Sequence, residues 1–379
     1  MKKVHITLVG GQPVPAYIGI KDDGQAQTIV LVCSEQSQEE ANRICAQFPK
    51  RKVVIELCSP VNLSEIEGLA RKLKEKYEDC ELTVNLTSGT KLWSLSFFHI
   101  LGTCQHVRFI YVDQTNVITD IRTKETRMGE IETLTRFELY GTPLTSYVPL
   151  EEYTEEDIRV MKEIEKIRKV NIHDFNELTI NCQKDDLEVN EPIKATQKGS
   201  TLQYSYEGKW ARLTLRNYYT GKAVTKEIQS EHIFDILFNS GWFELKTAVE
   251  LRRNPRVKNL WLNCEFTDSD GNPKNEIDII ANLWNRLLFV ECKTMIRDTT
   301  DIDKFRSALR NFSGTSSTGI FVTNDRPNTK TEKNYQHAVE KCKDNGILTF
   351  NFTLSHDNSL KYPSIRDIID QQLSTQNKR

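Results

Sequence analysis

By residue type and spacing, Asp278, Glu291 and Lys293 are the strongest candidates for chemistry in this chain. Asn275-Glu276-Ile277-Asp278-Ile279-Ile280 precedes Leu283-Trp284-Asn285, and Leu287-Leu288-Phe289-Val290-Glu291-Cys292-Lys293 follows, a pattern that predicts a β-hairpin closed by a tight turn. Side chains at i and i+2 of a strand share a face, so Glu291 and Lys293 project together while the Cys292 side chain points away, and Asp278 on the neighbouring strand reaches the same patch. Two carboxylates held close repel each other, and a divalent cation between them makes the arrangement favourable. Oxygen ligands suit Mg²⁺ or Mn²⁺. Such a metal lowers the pKa of a bound water and polarises a phosphodiester, while an ammonium orients the water or offsets developing charge. Asp278, Glu291 and Cys292 form the expected metal set. A surface Glu-Lys pair is the bland alternative, worth only about 0 to 1 kcal/mol. Against it stand the very apolar run that ends in the triplet and the aspartate in an otherwise apolar strand.

A second group of candidates follows the apolar runs of the first 125 residues: Gly10-Gly11-Gln12-Pro13, Ser34-Glu35, Thr87-Ser88-Gly89-Thr90-Lys91 and Asp113. Ligands of an open parallel sheet bind beyond the carboxyl ends of its strands. Thr87 to Lys91 offers hydroxyls, a glycine for close backbone approach and a lysine at a helix start, which is how phosphate is held. Helix capping by Ser and Thr is the alternative for this segment alone. Neither GxxxxGK[ST] nor GxGxxG is present, so ATPase and dinucleotide-cofactor readings lose support.

The elements that must position these residues are legible in the periodicity. Val4 to Val9, Thr28 to Val32, Lys52 to Leu57, Leu82 to Leu86 and Val107 to Val112 are short apolar runs, and Glu35 to Phe48, Leu63 to Tyr77 and Thr90 to Gly102 between them have helical spacing. Strands apolar on nearly every residue, alternating with helices, indicate α/β architecture with a parallel sheet covered on both faces. Thr154-Glu155-Glu156-Asp157 opens a charged helix to about Lys169, and residues 178 to 225 read as small hairpins turning at Glu207-Gly208 and Thr220-Gly221. A second α/β unit is expected from a helix over Thr225 to Ser240, ended by Gly241. Strands follow at Lys258 to Phe266, Glu276 to Ala281, Leu287 to Cys292 and Thr318 to Val322, with helices at Asp301 to Phe312 and Thr331 to Asn345. The domains expected are 1–140, a connector over 141–224, and 225–379.

At 379 residues the chain exceeds one ordinary core. With 51 basic against 53 acidic residues it is no general trap for nucleic acid, so any such contact is local. The run Glu250 to Lys258, with three arginines and a lysine, is the candidate patch, though charge runs are more often solvated faces. Nine cysteines without a CxxC pair argue for free thiols in a reducing cytosol. No stretch of eighteen apolar residues occurs, so a cytoplasmic protein without a membrane segment is expected.

Asp278, thirteen residues before Glu291-Cys292-Lys293, resembles the PD-(D/E)XK nuclease signature, with Ile277 where the motif name has proline. The resemblance implies a restriction-endonuclease-like α/β domain in which the aspartate and glutamate bind metal and the lysine assists catalysis. Glu231 resembles the acidic helix residue that many such nucleases add; a solvated helix glutamate is the alternative, and Glu276 is a further possible carboxylate. In the first 125 residues, Thr87 to Thr90 together with Gly10 to Pro13 resemble the CARF domain, the CRISPR-associated Rossmann fold that senses cyclic oligoadenylates in type III CRISPR immunity. The combination resembles the cyclic-oligoadenylate-activated CARF nucleases. It implies a homodimer that binds one cyclic tetra-adenylate across two sensor domains, and a nuclease that cleaves single-stranded RNA or DNA or nicks supercoiled DNA. A CARF-type regulator with an inert nuclease fold, and a repair or restriction nuclease with another sensor, are the competing readings.

Overall fold

The computed structural model describes residues 1–182, 193–267, 273–283, 286–296, 299–312, 317–327, 331–356 and 362–376. Trp284 and Asn285 of the expected hairpin turn lie outside the described residues. The chain folds into two compact units, one that includes Met1–Thr145 and a second that includes Ser146–Glu265, Glu276–Leu309 and Thr318–Arg379.

In the first unit, β1 (Lys2–Val9), β2 (Thr28–Cys33), β3 (Lys52–Leu57), β4 (Cys80–Asn85) and β5 (Val107–Val112) coincide with the five apolar runs, and β6 (Val117–Asp120) and β7 (Thr126–Met128) extend the sheet. The order is β3-β2-β1-β4-β5-β6-β7. The first five strands pair in parallel and the last two are antiparallel. Each parallel strand is apolar on both faces because helices cover both. On one face, α3 (Leu63–Lys76) and α4 (Lys91–Leu101) bury Ile66, Leu73, Trp93 and Phe97 against Ile6 and Val84. On the other, α1 (Pro13–Asp22), α2 (Gln38–Ala46) and α5 (Thr133–Leu139) bury Ile18, Ile44 and Leu139 against Ile29 and Leu31. α1 goes beyond the sequence expectation: Pro13, which looks like a loop residue beside two glycines, stands at a first helical position, where a missing N–H costs nothing.

The second unit contains β8 (Leu144–Pro149), α6 (Glu155–Arg168), α7 (Ile172–Thr179), β9 (Ile193–Ala195), β10 (Thr201–Ser205), β11 (Trp210–Arg216), β12 (Ala223–Gln229), α8 (Ile233–Leu237) and α9 (Gly241–Arg252). There follow β13 (Val257–Thr267), β14 (Pro273–Leu283), β15 (Arg286–Lys293), α10 (Thr300–Phe312), β16 (Ser317–Thr323), α11 (Glu332–Asp344), β17 (Leu348–Asn351), α12 (Phe352–Ser355) and α13 (Ile365–Gln376). The small hairpins form an antiparallel sheet, β12-β11-β10-β9, and the other strands form a sheet in the order β17-β16-β15-β14-β13-β8. Residues read as a connector join the same core as the later ones: Val160, Ile164 and Phe175 pack with Leu213, Phe243, Val290 and Phe350.

Two expectations need correction here. The helix over Thr225 to Ser240 does not form. Ala223 to Gln229 is β12, paired with β11 from Arg216↔Ala223 to Trp210↔Gln229, and only Ile233–Leu237 is helical. Ile228 therefore belongs to a strand, and its apparent stripe with Ile233 and Ile236 spans two elements. Gly241 opens the long helix α9 instead of ending one, because a Cβ there would overlap the Asp235 carbonyl oxygen where α8 meets α9. The run Glu250 to Lys258 is not a free basic patch. Arg253 pairs with Glu250 at 2.6 Å and Arg256 with Asp370 at 3.4 Å, while Arg252 donates to the carbonyls of Val257 and Lys258 at 3.0 and 3.1 Å. Among the described residues no helix is long and apolar enough to cross a membrane.

Candidate functional site

The chemistry of the second unit gathers on β14, β15 and α9. β14 and β15 pair antiparallel, Ile279 opposite Val290 and Ala281 opposite Leu288, so Asp278 and Glu291 are each the next residue beyond a matched pair. The Cys292 backbone N–H donates to Asp278 Oδ2 at 2.6 Å, and Lys293 Nζ lies 2.9 Å from Glu291 Oε1. The i, i+2 argument thus holds for Glu291 and Lys293, and Asp278 meets their strand at the residue between them.

Glu244, on α9, joins this group. Burial holds its carboxyl well above the usual range, and the charges of Asp278 and Glu276 add to the effect. Burial, followed by the charge of Asp278, pushes Glu291 up to about 8. Asp278 is itself raised by burial, against the opposing pull of Lys293 and the Cys292 N–H. Removal from water and the Asp278 charge raise Glu276. Burial alone would lower Lys293, but Asp278 and Glu291 overcome it and hold the ammonium well above its ordinary value. Four carboxylates thus face one ammonium, a set of hard oxygen donors whose mutual repulsion a divalent cation relieves.

Glu231 is not on a helix as expected: it lies in the turn after β12, exposed and ion-paired with Lys209, on the wall of the cavity that also holds Asp278. The helix carboxylate that feels the Asp278 charge is Glu244. The signal for Glu244 was an acid in an apolar helix, Trp242-Phe243-Glu244-Leu245, obscured because Gly241 looks like a stop. Cys292 gives its backbone N–H to Asp278 and lines the same cavity, and burial, followed by the Asp278 and Glu244 charges, holds its thiol well above the usual range. An open cavity of about 1670 Å³ is lined by Glu244, Glu276, Asp278 and Lys293, with the aromatic rings of Tyr206 and Phe234 on its wall.

In the first unit, a cavity of about 550 Å³ lies beyond the carboxyl ends of β1, β4 and β5. Gly10, Gly11, Gln12, Ser34, Thr87, Ser88, Gly89, Thr90 and Asp113 line it; Pro13, Glu35 and Lys91 do not. Pro13 is buried at the start of α1, whereas Glu35 and Lys91 are exposed. Gly10 and Gly89 bring two loops together: a Cβ on Gly10 would come within 2.9 Å of the Gly89 nitrogen. Several hydroxyls build the pocket. Thr87 Oγ1 accepts from Val112 N–H and donates to Asn85, both at 2.6 Å, Ser88 Oγ donates to the Gln12 carbonyl at 3.1 Å, and Thr90 Oγ1 donates to the Pro60 carbonyl at 3.0 Å. Asp113 accepts from the N–H groups of Thr115 and Val117, both at 2.8 Å, and so holds its own turn. Arg136 and Tyr140, missed from sequence, also line the cavity; the Tyr140 hydroxyl donates to Gln12 Oε1 at 2.9 Å. Their signal was weak because they follow the last parallel strand, away from the strand-end loops. Arg136 is a guanidinium only 2% exposed.

Residues 4–140 match the family model described as the Card1 CARF domain, and the first unit has that Rossmann-like fold. Can2 from Sulfobacillus thermosulfidooxidans, solved in complex with cyclic tetra-adenylate, is similar at 18% identity and a TM-score of 0.65, over 92% of this chain and 95% of that one. Protein VC1899 from Vibrio cholerae is similar at 15% identity and a TM-score of 0.70, over 98% and 97%. A type III CRISPR defence DNA nuclease activated by cyclic oligoadenylate is similar at 15% identity and a TM-score of 0.55, over 86% of this chain but only 46% of that one. At these identities the likeness is one of fold. No curated protein sequence matches the chain.

Proposed function

We propose that this chain is a divalent-metal-dependent nuclease of the PD-(D/E)XK type, acting on DNA and/or RNA and activated by a cyclic oligoadenylate, foremost cyclic tetra-adenylate, in type III CRISPR antiviral defence. The observation that carries the reading is the clustering of Glu244, Asp278 and Lys293 on one cavity with Glu291 paired to Lys293 beside them, the three carboxyls all held above the usual range. Such crowding destabilises a metal-free fold, which argues against an inert regulator. The donor set fits Mn²⁺ or Mg²⁺, held by Asp278 and Glu291 with Glu244 alongside; when bound, the ion would supply Lewis-acid activation of water and phosphate. Lys293 offers a cation to the developing negative charge, and the Cys292 N–H fixes the orientation of Asp278.

Sensing is assigned to residues 1–140. The support is the CARF match, the likeness to a structure bound to cyclic tetra-adenylate, and a pocket where the α4 N-terminus and the buried Arg136 suit phosphate. A cytoplasmic homodimer completes the proposal. Thr90 Oγ1 donates to the Pro60 carbonyl, which places the 77%-exposed Val61 loop at the start of the helix bearing the 68%-exposed Leu95, an apolar surface that a two-fold partner would cover.

The test incubates the protein with labelled single-stranded RNA, single-stranded DNA and supercoiled plasmid, in Mg²⁺ or Mn²⁺, with and without cyclic tri-, tetra- and hexa-adenylate. Cleavage that depends on metal and rises with one ring size supports the reading. Cleavage indifferent to every ring favours a nuclease with another sensor.

A further inference from the structure

One end of the sheet β12-β11-β10-β9 carries two aromatic rings that serve no core. Tyr219 is 91% exposed and Tyr218 64%, their rings meet edge to face at 5.3 Å, and Lys198 Nζ stands 4.5 Å over the Tyr218 ring. The turn that presents them is built firmly. Asn217 Oδ1 accepts the N–H groups of Tyr219 and Thr220, both at 3.0 Å, and Gly221 takes a φ of +68° and donates to the Asn217 carbonyl at 2.9 Å. The two turns at this end, Thr196 to Ser200 and Asn217 to Lys222, contain two lysines and no carboxylate.

Both turns are anchored on the start of α7. Asn171 Nδ2 donates to the Arg216 carbonyl at 2.9 Å, the Arg216 N–H donates to Ser200 Oγ at 3.0 Å, and Ser200 Oγ donates to the buried Asp174 Oδ2 at 2.5 Å. His173, Asn176 and Glu177 of the same helix line the cavity that holds Glu244 and Asp278. Asn171 to Glu177 spans roughly 9 Å of helix at 1.5 Å per residue, or about three nucleotides of a stacked strand.

We propose that Tyr218, Tyr219 and Lys198 form a binding platform for single-stranded nucleic acid just outside the active-site cavity. The rings stack on bases, and Lys198 and Lys222 face the backbone phosphates. Exposed aromatics beside two exposed lysines fit a strand with π-faces and negative charge. The claim that the held strand continues to the scissile position rests on the nuclease reading; strand binding does not.

The test uses the full chain with Ca²⁺ and a dye-labelled single strand of roughly a dozen nucleotides, read by fluorescence anisotropy. Y218A/Y219A should bind about tenfold or more weakly, Y218F/Y219F should bind as the parent does, and K198A should reduce the salt dependence of binding. Thermal melts of all variants should match the parent, since the rings are outside the core. Parental affinity in Y218A/Y219A, loss of affinity in Y218F/Y219F, or no strand binding by the parent would each overturn the platform. So would a changed oligomeric state of Y218A/Y219A in sedimentation, which would make the turn a contact between chains. Tight binding with no cleavage in Mn²⁺ would remove the nuclease reading and leave the platform standing.

Discussion

The main-chain N–H of Cys292 donates to the side chain of Asp278 at 2.6 Å, so the aspartate of β14 is tied to the strand that carries Glu291 and Lys293. This bond partly offsets the burial that raises Asp278. It leaves Glu291, pushed up to about 8, to hold a proton at neutral pH in the absence of metal.

Stability without metal should therefore depend on pH. A carboxyl raised in the folded state contributes stability that is present below its unfolded value and lost as pH rises through the folded one. For Glu291 that window runs from the ordinary 4.5 to about 8, with Asp278 and Glu244 acting in the same direction. Thermal melts in EDTA should show a falling midpoint across this range. Glu291→Gln should flatten the slope, and Mn²⁺ should raise the midpoint most at the alkaline end. A midpoint that rises with pH in EDTA would contradict the crowding.

The two helix-carboxylate candidates are separable by rate. Glu244→Gln should lower metal-dependent cleavage by about a hundredfold, the scale on which electrostatic groups at a reacting centre act. Glu231→Ala, which removes an exposed pair with Lys209 on the cavity wall, should stay within about fivefold. The reverse ranking would return the helix carboxylate to Glu231.

Behind the site, Arg168 is 2% exposed and makes two bonds to Asp325, at 2.9 and 2.6 Å. The backbone N–H groups of Asn324 and Asp325 donate to the carbonyl of Thr294, next to Lys293, at 3.2 and 2.8 Å. Asp325→Ala should cost about 3–5 kcal/mol, because it leaves the guanidinium buried and unpaired. Chemical denaturation measures this, and a loss below about 1 kcal/mol would show that the pair is exposed in solution.

In the first unit, Arg136→Ala removes a buried cation from the pocket wall. If it meets a phosphate through a charge-assisted bond worth about 1.5–3 kcal/mol, the activator concentration needed should rise roughly ten- to a hundredfold. The saturated rate should change far less. Lys91→Ala, at an exposed position outside the lining, should shift the titration less than Arg136→Ala. Titration of cyclic tetra-adenylate against cleavage and binding distinguishes the two.

Strands buried on both faces were legible because covering helices impose unbroken apolar runs, as at Ile29 to Val32 and Leu287 to Val290. Asp278, Glu291 and Lys293 were legible because strand periodicity fixes which neighbours share a face. Glu244 was hidden by a local ambiguity: Gly241 is a helix stop by propensity, yet here it is a close approach between two helices. β12 was hidden because its exposed Lys226 and Glu227 suit a helix, and only cross-strand partners such as Arg212 decide otherwise. Arg136 was hidden because nothing in its local sequence shows that its helix closes over the strand-end pocket.

The most direct measurement is the rate at which the parent and Asp278→Asn cut a labelled single strand in Mn²⁺, with and without saturating cyclic tetra-adenylate, alongside the affinity of each for that activator. The parent should accelerate by roughly tenfold or more on binding the activator, while Asp278→Asn should bind it equally well and cut no faster than buffer. Parental cleavage in Asp278→Asn, or a parental rate that does not change with activator, would contradict the account.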